Sequence, residues 1–150
     1  MKISLNKIAT RVSKDINKEE IKEKTEKLLD KITLYQRMMY ADGERSLLII
    51  LQGMDASGKD GTVRRVFTRV NPLGCNISGF KAPTSEELAH DFLWRVHKHT
   101  PPKGMIHIFN RSHYEDILVP TVEELFPAKI INQRYALIND FEKLIEHNGT

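Results

Sequence analysis

The 150-residue chain holds one cysteine, Cys75, and one tryptophan, Trp94. A single thiol excludes an internal disulfide, and no Cys/His spacing resembles a zinc site. Cys75 falls in a strand-like neighbourhood, so a buried thiol is expected. No apolar run approaches the roughly 18 residues that a membrane span requires. Met1 to Glu20 lacks the apolar core of a secretion signal. A cytoplasmic domain with no membrane partner is expected. Excess charge is also scarce: 23 Lys+Arg against 20 Asp+Glu leaves +3. That is too mild for a nucleic-acid partner and wrong for an acidic disordered tail. The remainder is 40% apolar, which suits one globular domain and leaves little room for two.

Where the charge sits says more than its sum. Residues 1–40 carry 10 basic and 6 acidic side chains, whereas 41–150 carry 13 and 14. Within that near-neutral body, Lys59, Arg64, Arg65, Arg69 and Lys81 face Asp60 alone over positions 59–81. Such a concentration suits a polyanion groove, although a solvated basic helix face has the same composition.

Apolar residues at 21, 28, 32, 35 and 39 make one stripe of an amphipathic helix, ended by Asp42-Gly43. Residues 1–40 therefore read as an N-terminal helical arm and 41–150 as the core. Ser46 to Gln52 is a continuous apolar run of strand length, as in a strand covered on both faces. Val63, Val66, Phe67 and Val70 then recur at helical spacing until Asn71-Pro72. Cys75 to Phe80 reads as a second strand. Thr84 and Glu87 form a capping box that opens a helix carrying Leu88, Phe92, Leu93 and Val96. Met105 to Phe109 is a third strand. A last helix, roughly Lys129 to His147, repeats apolar residues at 131, 135, 138, 141 and 145 before Asn148-Gly149. Alternation of strand and helix predicts an α/β fold with a parallel sheet and right-handed crossovers. Three strands are fewer than such a sheet usually has, so the chain reads as the front part of a longer protein.

Gly53-Met54-Asp55-Ala56-Ser57-Gly58-Lys59 satisfies G-x-x-x-x-G-K. Small residues let backbone N–H groups turn inward around a phosphate, and the following helix aims its positive end at the same place. The pattern alone arises by chance in about 4% of chains this long, given ordinary composition. Its place between an apolar strand and a helix start gives it weight. Asp60 stands where the common loop has Ser or Thr, and the nearest hydroxyl is Thr62. Asp55 lies inside the loop, where a carboxylate repels phosphate unless Mg²⁺ bridges the two. The alternative is a carboxylate that caps loop N–H groups.

Phe109-Asn110-Arg111-Ser112-His113-Tyr114-Glu115-Asp116 follows the third strand. Ligand chemistry gathers at the carboxyl ends of parallel strands, so this segment and 53–59 are expected side by side. Arg111 can fork onto phosphate oxygens. Glu115 and Asp116 can hold Mg²⁺ or orient an attacking phosphate, and Asn110 can hold a metal-bound water. Ser112 and Tyr114 read as packing or hydrogen-bonding residues. His97, His99, His107 and His113 are not expected to bind metal. Trp94 lies off its helix stripe and suits packing better than base stacking.

Together with Phe80-Lys81-Ala82-Pro83-Thr84 and the Asp60-Gly61-Thr62 that closes the loop, these motifs resemble the polyphosphate kinase 2 family. The likeness extends over roughly 40–150. Asn110 with His113 to Asp116 resembles the subgroup, often called class III, that phosphorylates both AMP and ADP. The resemblance implies a P-loop kinase-like parallel sheet flanked by helices, here truncated before the last strands and a helical lid. It implies transfer of a phosphoryl group from inorganic polyphosphate to AMP or ADP, with ADP or ATP formed, and Mg²⁺ (or Mn²⁺) as cofactor. Homodimers or homotetramers are implied as well. Asp55, Lys59, Arg111 and Asp116 take the catalytic places. Gly53 to Thr62, with Asn110, Arg111 and Glu115, bind nucleotide and phosphate. Lys59, Arg64, Lys81 and Arg111 line a polyphosphate channel, and Asp55, Asn110 and Asp116 hold the metal. The acceptor phosphate is already ionised, so direct in-line transfer without a phospho-enzyme is expected. The rival readings are a conventional ATP-using P-loop kinase or NTPase and a non-catalytic polyphosphate-binding module.

Overall fold

The computed structural model describes residue 8 and residues 16–150. The first part of the expected arm, residues 1–7 and 9–15, lies outside the described residues. Helix α1 spans Lys18–Asp42, with the Asn17 side chain accepting from the Glu19 and Glu20 N–H groups. Gly43 ends it in a left-handed conformation that a side chain would resist. Then follow β1 (Leu47–Leu51), α2 (Lys59–Val66), a 3-10 turn (Pro72–Gly74) and β2 (Cys75–Gly79). The remaining elements are α3 (Ser85–Leu88), α4 (Trp94–His97), β3 (Ile106–Asn110), α5 (Glu115–Val122) and α6 (Ala128–His147).

The three strands form a parallel sheet in the order β1-β3-β2. That order was not predicted by the sequence. The most apolar strand, β1, lies at an edge and is half-buried, with Leu47 44% exposed. The central place belongs to β3, whose Ile106, His107, Ile108 and Phe109 are all buried. Alternation along β3 divides the core. Ile106 and Ile108 join Val63 of α2, with Met39 of α1, Ile49 and Phe67 packed beside them. On the opposite face Phe109 joins Phe80, Val96, Ile117, Ile138 and Phe141. Helices therefore cover both sides of the sheet.

Four local readings are corrected. Helix α2 stops at Val66 rather than Val70, with Phe67 as its cap, and Asn71 separately accepts from the Leu73 N–H to start the 3-10 turn. The capping box forms as expected, with Glu87 accepting from the Thr84 N–H at 2.8 Å and Thr84 from the Glu87 N–H at 3.2 Å. The helix it opens is nevertheless split in two, since the Asp91 carboxylate accepts from the Leu93 N–H and competes with helical bonding. Leu88 is consequently 69% exposed rather than buried. Cys75 is half-buried, and Tyr135 of the predicted α6 stripe is exposed.

Helix α5 opens on the last two residues of the polar run and continues into an apolar stretch. Glu115 and Asp116 in its first turn favour the positive helix end, while Ile117 and Pro120 supply the buried side. Ile108 is fully buried in the central strand, so Ile108→Ala is expected to cost about 3 kcal/mol. Leu47→Ala at the edge is expected to cost below about 1 kcal/mol. Denaturant unfolding of the two variants checks the difference.

Candidate phosphoryl-transfer site

The parallel register sets Leu51 at the end of β1 opposite Asn110 at the end of β3. The Arg111 N–H donates to the Leu51 carbonyl at 3.0 Å, extending the pairing by one residue. The loop from Gln52 to Gly58 and the segment from Asn110 to Asp116 therefore leave the sheet together, as the motifs predicted.

The loop's shape depends on its small residues. A Cβ on Gly53 would come within 2.9 Å of the Ser57 Oγ. Gly58 sits at φ 92° as the cap of α2, and no side chain bonds the first N–H groups of that helix. They point into the cradle as an anion site requires. Lys59 folds over the loop, donating to the Gly53 and Met54 carbonyls, each at 2.7 Å, and to Ser57 Oγ at 3.3 Å. An incoming phosphate offers the same ammonium oxygens of higher charge. Thr62 turns away, its hydroxyl donating to the Gly58 carbonyl at 3.0 Å.

The two segments meet through charge. Arg111 donates to the Asp55 carboxylate, and Asn110 Nδ2 donates to Asp60 Oδ1 at 2.6 Å. Gln52 Nε2 reaches Glu115 Oε1 at 2.6 Å, while Ser112 Oγ donates to Gln52 Oε1 at 3.1 Å. Arg111 adopts φ 62°, a left-handed conformation uncommon for a residue with a side chain.

Three cavities surround this meeting point. The first, about 610 Å³, is bordered by Asp55 to Gly61, Lys81, Asn110 and Arg111. The second, about 500 Å³, is bordered by Gln52, Met54, Arg111 and Glu115. The third, about 570 Å³, is lined by Phe80, Pro83, Phe92 and Phe126 together with Lys81, Arg111 and Asp116. Asp55, Lys59, Asp60, Asn110, Arg111 and Lys81 thus share one cavity. Asp116 is apart from the loop: it borders the third cavity and pairs with buried Arg95 at 2.9 Å. Arg64 is exposed on α2 and borders none of the three.

Among the described residues no cluster of three His, Cys, Asp or Glu side chains forms a metal cage. The donors at the loop are Asp55, Asp60 and the Asn110 amide oxygen, a hard oxygen set. Such a set suits a small divalent cation that takes one or two protein ligands and fills its shell with phosphate and water. The histidines are used structurally. Ser78 Oγ lies 3.0 Å from His99 Nδ1 and 2.8 Å from His107 Nε2, so its hydroxyl serves both rings. His113 is fully buried, its Nε2 3.3 Å from Glu142, and Tyr114 donates to the same carboxylate at 2.8 Å. A ring so placed is no accessible nucleophile. Burial beside Glu142 pushes the Tyr114 hydroxyl up to about 12. Burial also pushes His107 and His113 below the ordinary histidine range, against the opposing pull of Glu142 on His113.

Sequence reading missed Gln52, Arg95, Arg134 and Glu142. None stands in a phosphate motif, and each acts by holding a motif residue: Gln52 bonds Glu115 and Ser112, Arg95 and Arg134 bond Asp116, and Glu142 bonds Tyr114. The one legible signal was Pro120 inside a helix, which announces a carbonyl in need of a donor.

A family model described as polyphosphate kinase 2 matches residues 15–150. The chain is 50% identical over 115 residues to the AMP/ADP-polyphosphate phosphotransferase of Meiothermus ruber, covering 77% of this chain and 43% of that protein. It is 37% identical to the ADP-polyphosphate phosphotransferase of Rhodopseudomonas palustris, covering 99% of this chain and 56% of that protein. Among solved structures, polyphosphate kinase 2 from Arthrobacter aurescens TC1 superposes with a TM-score of 0.94 at 37% identity, covering 99% of this chain and 54% of that one. The chain thus spans about half the length of these relatives.

Two buried rings held neutral set a pH dependence. Unfolded histidines take up protons near pH 6.5, whereas folded His107 and His113 do so only at lower pH. Their contribution to stability is therefore complete above about pH 6.5 and is lost as pH falls below it. Chemical denaturation is expected to show a lower stability at pH 5.5 than at 7.5, with the difference reduced in His113→Gln. An equal loss in that variant would refute the assignment for His113.

Proposed function

The chain belongs to the polyphosphate kinase 2 family, and from that premise we propose that it transfers a phosphoryl group from inorganic polyphosphate to AMP or ADP. The observation that carries this reading is the juxtaposition of a phosphate cradle and an apolar, aromatic cavity across one arginine, Arg111. The names of the relatives from M. ruber and R. palustris support the same chemistry.

In this reading the polyphosphate end lies in the cradle of Gly53 to Lys59 and along Lys81. The acceptor nucleotide lies in the third cavity, its base against Phe92 and Phe126 and its phosphate toward Arg111. Donor and acceptor are both anions, so the protein's task is to hold them in line and neutralise charge. Lys59 and Arg111 give up their loop and carboxylate partners for phosphate oxygens. Asp55, with Asp60 and Asn110 beside it, holds Mg²⁺, or Mn²⁺ in its place. When bound there, the cation would supply positive charge that offsets the charge of the phosphates. Asp116 faces the acceptor as the second acid of the transfer. No side chain needs to carry the phosphoryl group, and burial of His113 agrees with that. A cytoplasmic location and assembly as homodimers or homotetramers belong to the same reading.

Incubation with polyphosphate, Mg²⁺ and AMP or ADP, followed by chromatography of the nucleotides, tests the activity. Formation of ADP and ATP is expected, and transfer only from ATP to another acceptor would sink the proposal. Lys59→Ala and Asp55→Asn are each expected to lower kcat by about 10²-fold or more. Circular dichroism is expected to be unchanged, since Asp55 lies on the exposed loop and Lys59 stands half-buried at the first position of α2, outside the core. Phe126→Ala is expected to raise KM for the nucleotide by about tenfold, on the scale of one lost stacking contact, while KM for polyphosphate stays constant.

A further inference from the structure

Helix α5 contains Pro120. In an uninterrupted helix the N–H of residue 120 would bond the carbonyl of residue 116. Proline has no N–H, so the Asp116 carbonyl loses its helical donor. The fold supplies one from elsewhere: Arg134 Nη1, on α6, donates to that carbonyl. The Asp116 carboxylate is held separately by Arg95 Nη2 at 2.9 Å. Asp116 is therefore gripped at main chain and side chain by two arginines from two different helices.

Arg134 is itself fixed. Its guanidinium carbon lies 4.9 Å from the Phe92 ring centroid and 4.5 Å from that of Phe126. Its one side-chain hydrogen bond among the described residues goes to the Asp116 carbonyl. A planar guanidinium can stack on both rings and still donate, which an ammonium cannot do. The arginine borders the third cavity without pairing to a carboxylate there.

We infer that Arg134 is a positioning residue for phosphoryl transfer: it supplies the hydrogen bond that Pro120 withholds and thereby fixes where the Asp116 carboxylate stands on the acceptor cavity. The inference rests on the reading of Asp116 as an acid of the transfer. Without Arg134 the carbonyl is left in a partly buried place with no donor, and the first turns of α5 can relieve this by tilting. Such a tilt draws Asp116 away from Arg95 and misaligns it by a distance that matters for in-line transfer.

A double-mutant cycle of Arg134→Met and Pro120→Ala in the full-length protein tests this, because alanine at 120 restores the missing N–H. Arg134→Met is expected to lower kcat about tenfold with both KM values changed less than about twofold. The double variant is expected to return to within about threefold of Pro120→Ala alone. A double variant as slow as Arg134→Met would overturn the inference, since packing between Phe92 and Phe126 is not restored by the proline change. A rise in nucleotide KM with kcat intact would also overturn it, marking direct contact with substrate. If the wild-type protein transfers no phosphoryl group, the proposed function fails on its own and takes the catalytic role of Arg134 with it. Melting temperatures still decide the hydrogen bond. A smaller loss from Arg134→Met in the Pro120→Ala background supports the exchange of donors, and additive losses refute it.

Discussion

Everything at the site follows from the pairing of Leu51 with Asn110 at the carboxyl ends of two parallel strands. That register brings a glycine loop from one strand and a charged turn from the other to the same edge of the sheet. A slip of one residue would send Arg111 to the opposite face. The register is held in β3, buried from Ile106 to Phe109 and half-buried at Asn110, so the core strand aims the polar segment that follows it. The Asp55–Arg111 contact is a result of this arrangement rather than its cause.

The acids near the site are balanced in two different ways. The Asp55 carboxylate is 84% exposed and its arginine partly so. Pairs of this kind contribute about 0–1 kcal/mol, which makes them easy to exchange for phosphate. Arg95 and Asp116 are nearly buried together. Removing one partner of such a pair typically costs about 3–5 kcal/mol, because a charge is left without compensation. In the proposed reaction Asp55 is thus free to change partners, while Asp116 keeps one fixed place. Their separation into neighbouring cavities fits a site with a donor side and an acceptor side.

The fold class was legible because its signals are local. Apolar runs bounded by glycine, a capping box and a phosphate loop each declare themselves within ten residues. The position of each strand within the sheet was not legible. The continuous run Leu47 to Leu51 reads as a strand covered on both faces but carries no strand order, and tertiary pairing gave the centre to a strand that carries a histidine, whose ring finds a serine partner on β2. The split between α3 and α4 was hidden for a similar reason, since one aspartate side chain outweighed an apolar stripe. At the site, the residues that touch phosphate in the proposed reaction were readable from spacing. Those that hold them, Arg95, Arg134 and Gln52, were not, because their partners lie more than ten residues away and follow no period. Arg64, charged in the same stretch of sequence, is exposed and borders none of the three cavities.

Arg111 borders all three cavities from a left-handed backbone position. One codon therefore touches every compartment of the site at once, so in the proposed reaction an exchange there is felt on the donor side and the acceptor side together. In the proposed reaction the aromatic wall carries two duties, since Phe92 and Phe126 face the acceptor cavity and also hold Arg134 in place.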